Sequence, residues 1–211
     1  MREGGLMRDR RKALAIVPVS RETEERLDTF VQLLDRWNTK TNLASQATFV
    51  SVWTRHVADS AQIHLLSPKT TGWLDIGSGA GFPGIVLAIQ LADLKGVQVH
   101  CVESDQRKCA FLREVARATC APAIIHSCRI QSLAPSDIGA ADGVTARAFA
   151  PLSLTLDVAS RWLEAGALGV FPRGSTVTKQ LENLRPPSTY DLESIPSVID
   201  VSASFLKVQL G

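Results

Sequence analysis

No segment of the sequence is both apolar enough and long enough to cross a membrane. A bilayer span needs about 20 consecutive apolar residues, whereas the apolar run behind the basic start, residues 13–17, is stopped by Pro18. This run is also too short for the core of a signal peptide. We therefore expect a soluble, cytoplasmic protein with no membrane partner.

Cysteine is scarce, and its spacing argues against a zinc site. The four cysteines are separated by 8, 11 and 8 residues, so the chain has no C-x-x-C pair. We expect no metal site. We interpret Cys101, Cys109, Cys120 and Cys128 as small buried side chains in a reducing compartment.

Neither sign of charge is in large excess. The net charge of +2 neither requires nor excludes a nucleic-acid partner, because local clustering matters more than the sum. The chain of 211 residues, 45% of them hydrophobic, suits one α/β domain with a short extension. It contains no internal repeat and no low-complexity tract.

The start of the chain is basic. Its first twelve residues include five basic and two acidic side chains, which predicts a flexible arm over residues 1–19. Disorder of a terminus and contact with RNA are both open explanations of this charge.

Residues 20–68 are predicted to form an N-terminal helical extension. Ser20 is a good N-cap, and a second helix is expected from Phe49 to about Leu66, where Pro68 ends it. The first helix carries an apolar stripe at helical spacing. The stripe consists of Leu27, Phe30, Val31, Leu34 and Trp37.

Residues 69–211 are predicted to form the main α/β domain. Strand patterns alternate with helical patterns at 82–93, 105–119 and 152–164, which indicates a mostly parallel sheet. The last two strands leave little room for a crossover helix, so they should form an antiparallel hairpin at the sheet edge. The seven expected strands are 72–76, 97–102, 122–126, 142–146, 167–171, 188–195 and 203–210.

A glycine-rich turn follows the first expected strand and is typical of nucleotide-binding loops. It contains G-x-G-x-x-G ending at Gly84, the dinucleotide fingerprint. It also contains D-x-G-x-G-x-G, formed by Asp75, Gly77, Gly79 and Gly81, the usual first loop of an S-adenosylmethionine (SAM) methyltransferase. Glycine lets backbone N–H groups approach such a ligand closely.

Three features favour SAM over NAD. Glu103 at the end of the second strand suits the ribose of either cofactor, but the carboxylate of Asp75 can also reach the positively charged methionine amino group. The region after residue 150 is short for the substrate domain of a dehydrogenase, and the terminal hairpin suits a methyltransferase sheet. An NAD-dependent oxidoreductase and a non-catalytic RNA-binding module remain the alternatives.

The fourth strand is followed by Arg147, a candidate contact for the methyl acceptor. The Asn/Asp-Pro-Pro-aromatic motif of amine methylation is missing there, and so is a Pro-Cys nucleophile. Arg147 is able to bind a carboxylate or phosphate, stack on a base or donate to a guanine edge. A surface ion pair is its simpler explanation.

A second group of candidates lies in the helical extension. Arg55, His56 and Asp59 share one helix face, which suggests a local ion pair. Arg36 and Lys40 would add positive charge in the same region and suit an RNA backbone.

The motifs together resemble the bacterial small-subunit rRNA guanine-N7 methyltransferases, the RsmG or glucose-inhibited division protein B family. The resemblance spans residues 37–174 and is carried by the loop at 75–84 and by the blocks R-H-x-x-D-S at 55–60, S-x-x-R-K-x-x-F-L at 104–112 and F-P-R-G at 171–174. It implies a monomeric enzyme with a class I, Rossmann-like SAM-methyltransferase fold and an N-terminal helical extension.

The resemblance also implies an activity and site residues. The reaction would be methyl transfer from SAM to N7 of a guanine in the 530 loop of 16S rRNA within the small ribosomal subunit, leaving S-adenosylhomocysteine. Gly77 and Phe82 would line the cofactor loop, Ile130 and Gln131 would meet the adenine, and Arg147 would complete the site. The family usually has Ser at 146 and Lys at 173, where this chain has Ala146 and Arg173. The RNA contacts expected are Arg36, Lys40, Arg55, His56 and Arg173.

Overall fold

The first described element is a helix, where the sequence predicts a flexible arm. This helix, α1, spans Arg2–Ile16. The computed structural model describes residues 2–45, 49–139, 141–174 and 189–211.

Tertiary contacts explain why the basic start is ordered. Ala13 and Val17 are buried in the core, and Arg10 donates to both carboxylate oxygens of Asp28 at 2.7 and 2.8 Å. Asp9 accepts the backbone N–H of Trp53 at 2.9 Å. The expectation of a flexible arm is therefore wrong for this segment. The sequence pattern did not reveal the helix's contacts, because Asp28 and Trp53 lie far from it along the chain.

The helical extension continues with α2, Arg21–Asn38, and with a π-helical turn, Trp53–Ala58, that runs into α3, Asp59–Leu66. Ser20 caps α2 as predicted and accepts the N–H of Thr23 at 3.2 Å. The π-helical turn was not predicted, since i→i+5 bonding leaves no signature in apolar spacing.

Seven strands form a single mixed sheet in the order β3-β2-β1-β4-β5-β7-β6. The first five strands in sheet order are parallel, and β7 runs antiparallel to both β5 and β6. The predicted mostly parallel sheet with a C-terminal antiparallel hairpin is confirmed. The strands are β1 Gly72–Ile76, β2 Gln98–Glu103, β3 Ala123–Ser127, β4 Gly143–Thr145, β5 Leu168–Arg173, β6 Tyr190–Pro196 and β7 Ser204–Leu210.

Helices cover both faces of the sheet. They are α4, Gly84–Gln90, α5, Gln106–Thr119, and α6, Leu152–Leu163. Side chains of β1 alternate between the two layers: Trp73 packs in one buried cluster and Leu74 in the other. Among the described helices, none has the length and apolar character needed to cross a membrane.

Candidate cofactor and substrate site

The glycine-rich turn follows β1 and closes against Phe149. Gly77 has a φ of +73°, a conformation that favours glycine. A Cβ on Gly77 would lie 2.6 Å from Cδ2 of Phe149. The turn and the Phe149 side chain thus fit together without room for a methyl group.

Asp75 supports the turn from behind. Its Oδ2 accepts the N–H of Gly84 at 3.1 Å, where α4 begins, and its Oδ1 has no hydrogen-bond partner among the described residues. Burial raises the pKa of Asp75 to about 7. The side chain is completely buried, so Asp75 holds the loop and does not itself line the cavity.

Glu103 ties the turn to the end of β2. Its Oε2 accepts the N–H of Gly79 at 3.0 Å, and its Oε1 accepts the N–H of Asp105 at 2.8 Å. These bonds fix the carboxylate at the carboxyl edge of the sheet, where open α/β folds bind their ligands.

A cavity of about 620 Å³ opens between the turn and the ends of β2, β3 and β4. Gly81 and Asp75 were expected to bind the cofactor but do not line it; Gly81 instead packs against Ile85 of α4 and Leu112 of α5. The expected cofactor residues that do line it, besides Arg147, are Gly77, Gly79, Phe82, Glu103, Ile130 and Gln131.

Several lining residues were missed by sequence reasoning. Ser78 and Ala80 occupy the variable positions of the glycine motif, and Lys108 lies in the S-x-x-R-K block, so the sequence held a signal for these three. Cys128 and Arg129 lie just beyond β3 and follow no motif. Cys128 is half-buried and Cys120 is exposed, so the predicted burial holds for Cys101 and Cys109 alone among the four cysteines.

His56 borders the same cavity from the π-helical turn. Its ring lies against Phe82 with centroids 5.0 Å apart. Burial lowers the pKa of His56 to about 3, and the positive charges of Arg147 and Arg55 add to the effect. The imidazole is therefore neutral at physiological pH.

Arg147 stands between this cavity and a second one. Its Nη2 donates to the backbone oxygen of Arg55 at 2.7 Å and lies 3.7 Å from Oδ2 of Asp59. Its Nη1 is buried and has no partner among the described residues, and burial lowers the pKa of Arg147. The expected local ion pair within the Arg55–Asp59 helix is wrong, because Asp59 pairs with Arg147 across the fold.

The second cavity has a volume of about 360 Å³ and shares Arg147 and Ala148 with the first. Ala148 adopts a left-handed φ of 50°, which is uncommon for a residue with a side chain and is found at functional sites. Its lining includes five charged side chains, those of Arg55, Asp59, Arg147, Arg173 and Asp200.

Arg36 and Lys40 do not share this region with Arg55, as the sequence suggested. They line a separate cleft together with Trp37 and Arg107. Arg36 forms an ion pair with Glu114 of α5. In the described part of the chain, no group of His, Cys, Asp or Glu side chains is arranged to hold a metal ion.

Comparison with known proteins links this site to one family. The family model described as rRNA small subunit methyltransferase G matches residues 23–202. A relative with that name from Rhodospirillum centenum is 47% identical over 191 residues, which are 90% of this chain and 85% of the relative.

A second relative of the same name is similar to this chain in sequence, and a solved structure is similar to it in fold. The relative, from Nitrobacter hamburgensis, is 47% identical over 173 residues, or 82% of this chain; the match spans 66% of the relative's own length. The O-methyltransferase TomG of Streptomyces achromogenes, solved in complex with SAM, superposes with a TM-score of 0.63 over 92% of both chains at 16% identity. That likeness shows the class I methyltransferase fold. The chain belongs to the rRNA small subunit methyltransferase G family.

Proposed function

We propose that this protein is a SAM-dependent methyltransferase that modifies N7 of a guanine in the 530 loop of 16S rRNA. Membership of the rRNA small subunit methyltransferase G family carries the proposal. The two adjacent cavities agree with it, because one is built around a glycine-rich turn and three arginines line the other.

The first cavity fits SAM. Gly77 and Gly79 line the cavity without side chains that would keep a ligand away from the turn, and Glu103 lines it with a carboxylate that would accept hydrogen bonds from ribose hydroxyls. Ile130 and Gln131 would border the adenine, while Asp75 and Gly81 keep the loop in shape. When bound, SAM supplies a methyl group on a positively charged sulfur.

Methyl transfer to guanine N7 requires little proton transfer by the protein. Guanine N7 already carries a free lone pair, so no general base is needed, and the site has to orient the base and exclude water. We assign the catalytic role to Arg147, which borders both cavities and is positioned to hold the acceptor base. A neutral His56 adds no repulsion toward the cationic methyl donor.

The RNA would approach across basic side chains. Arg55 and Arg173 line the second cavity and His56 the first, and Arg36 with Lys40 would contact the backbone at their separate cleft. We further propose that the protein acts as a monomer, in the cytoplasm, on 16S rRNA within the small ribosomal subunit.

Labelled SAM tests this function directly. Small subunits from a host that lacks the enzyme are incubated with the protein and methyl-labelled SAM, and the product is mapped by strand cleavage at 7-methylguanine. Label at one guanine of the 530 loop is expected. Label at adenine, cytosine or a ribose hydroxyl, or no label at all, would refute the proposal.

Calorimetry distinguishes SAM from NAD as the cofactor. Titration with SAM should give a binding isotherm, and titration with NAD under the same conditions should give none. The reverse result would favour an oxidoreductase. SAM binding without transfer to any RNA would favour a non-catalytic RNA-binding module.

A further inference from the structure

We propose that Arg173 binds a backbone phosphate of the RNA in the second cavity, beside the nucleotide that receives the methyl group. This inference rests on the proposed function and adds a specific contact to it. Arg173 ends β5 and lines the cavity of about 360 Å³ that adjoins the proposed cofactor site.

The arginines of this cavity differ in whether a carboxylate lies near them. Asp59 lies 3.7 Å from Arg147. Hydrogen bonds from Ser202 lower the pKa of Asp200, and the positive charge of Arg55 adds a smaller effect in the same direction. Among the described residues, no carboxylate lies within ion-pair distance of Arg173. Burial alone accounts for the pKa of Arg173, which is lowered to about 10. Within residues 2–45, 49–139, 141–174 and 189–211, Arg173 is therefore a cation without a paired anion.

The hydrogen bonds of Arg173 point to the same conclusion. Nη1 makes one long contact, 3.4 Å from the backbone oxygen of Ala150. Nε and Nη2 are buried and have no partner in the described part of the chain. Leaving a buried guanidinium edge unpaired is costly.

The unpaired edge has the right shape for an oxyanion. The same two nitrogens of Arg10, Nε and Nη2, donate to the two carboxylate oxygens of Asp28 at 2.7 and 2.8 Å. This parallel pair of donors matches carboxylate and phosphate oxygens equally well. A phosphate would supply both the missing charge and the missing acceptors.

The position of the cavity identifies which phosphate. Arg147 and Ala148 form a common wall with the cofactor cavity, and both cavities lie at the carboxyl ends of parallel strands. When an RNA guanine lies against this wall, the sugar-phosphate backbone of the same RNA lies nearby. The anion nearest to Arg173 is then a phosphate flanking the target guanine.

The test uses the full-length protein with unmodified small subunits at saturating SAM. Arg173→Gln should raise KM for the RNA substrate about tenfold with kcat changed less than about twofold. The slope of log(kcat/KM) against log salt should become shallower by about one. Arg173→Lys should restore the salt slope and most of the KM, and SAM affinity should match the wild type in both variants.

The matched control is Arg21→Gln, an exposed arginine paired with Glu25 on α2, which should leave KM and the salt slope unchanged. Wild-type KM and slope in Arg173→Gln would overturn the inference. So would an equal defect in Arg173→Lys accompanied by a lower Tm, which would assign Arg173 to packing.

Two further outcomes separate the possible failures. If the wild type labels no guanine N7, the proposed function fails; if it does and Arg173→Gln behaves like the wild type, this inference fails alone. Millimolar inorganic phosphate is tested as a ligand in parallel. A phosphate-induced rise in Tm that requires Arg173, together with an unchanged KM for RNA, would mean a free-anion site and would overturn the RNA contact.

Discussion

The carboxylate of Asp59 lies 3.7 Å from the guanidinium of Arg147, and both side chains are largely buried. Asp59 begins α3, whereas Arg147 follows β4, so the pair joins the helical extension to the sheet. The hydroxyl of Ser197 also donates to Asp59 at 3.2 Å. The ion pair thus fixes Arg147 where the two cavities meet.

We predict that Arg147→Ala abolishes methyl transfer while the circular dichroism spectrum stays near wild type. Asp59→Asn should reduce kcat by about tenfold, because the guanidinium loses the charge that orients it. Transfer from labelled SAM measures both effects. Exposed Asp35 on α2 provides the control variant Asp35→Asn, and wild-type turnover in Arg147→Ala would return this arginine to a structural role.

Gly77→Ala should weaken SAM binding at least tenfold. The added methyl would collide with Phe149 and would also strain the left-handed backbone by about 1–2 kcal/mol. Gly96→Ala is a suitable control, because Gly96 has a similar φ of +77° but open space around it. Calorimetric titration with SAM should show an effect in Gly77→Ala alone; equal affinities in the two variants would contradict the proposed cofactor position.

The stability of the protein should fall in acid partly through His56. Its pKa is about 3 in the folded protein and close to about 6.5 in the unfolded chain. Between these values the unfolded chain binds one proton more, so stability falls as the pH drops from about 6.5 towards 3, by up to about 1.4 kcal/mol per pH unit.

His56→Phe removes this contribution and keeps an aromatic ring beside Phe82. Its Tm should therefore fall about 4–8 °C less than that of the wild type between pH 7 and pH 5. His64→Gln is the comparison variant, since the pKa of His64 is lowered by burial without a neighbouring cation. Parallel pH dependence in the wild type and His56→Phe would show that His56 is protonated in the fold.

Asp9→Ala should lower stability by about 1–2 kcal/mol, as the loss of a helix N-cap does. The carboxylate accepts the N–H groups of Trp53 and Thr54, at 2.9 and 3.3 Å, and the Thr54 hydroxyl at 2.6 Å. Thermal unfolding should show a Tm lower by about 2–8 °C. The exposed-site variant Asp35→Ala should stay within experimental error, and an equal Tm for Asp9→Ala would argue against this cap.

The features that the sequence predicted correctly are short-range. Each strand is marked by its own apolar pattern, and Glu103 could be placed at the carboxyl edge because it ends β2. The glycine motif likewise encodes its turn within a few positions. Such features require only local backbone geometry.

The features that were missed depend on distant partners. Asp9 and Trp53 are 44 residues apart, and nothing near Asp9 indicates that α1 is ordered by capping another helix. Asp75 is aimed at the start of α4 rather than at the cavity, because β1 side chains alternate between the two layers. Arg36 forms an ion pair with Glu114, which lies 78 positions later in the sequence. Pairings at such separations are set by the packing of whole elements.

The position of β7 between β5 and β6 affects how the molecule can be assembled during synthesis. Residues 204–210 must have left the ribosome before β5, which carries Arg173, gains its neighbour on that side. Segments made earlier can fold first, so a nascent chain would complete the glycine-rich turn before the arginine-lined cavity. A growing chain would then be able to bind SAM before it could bind RNA.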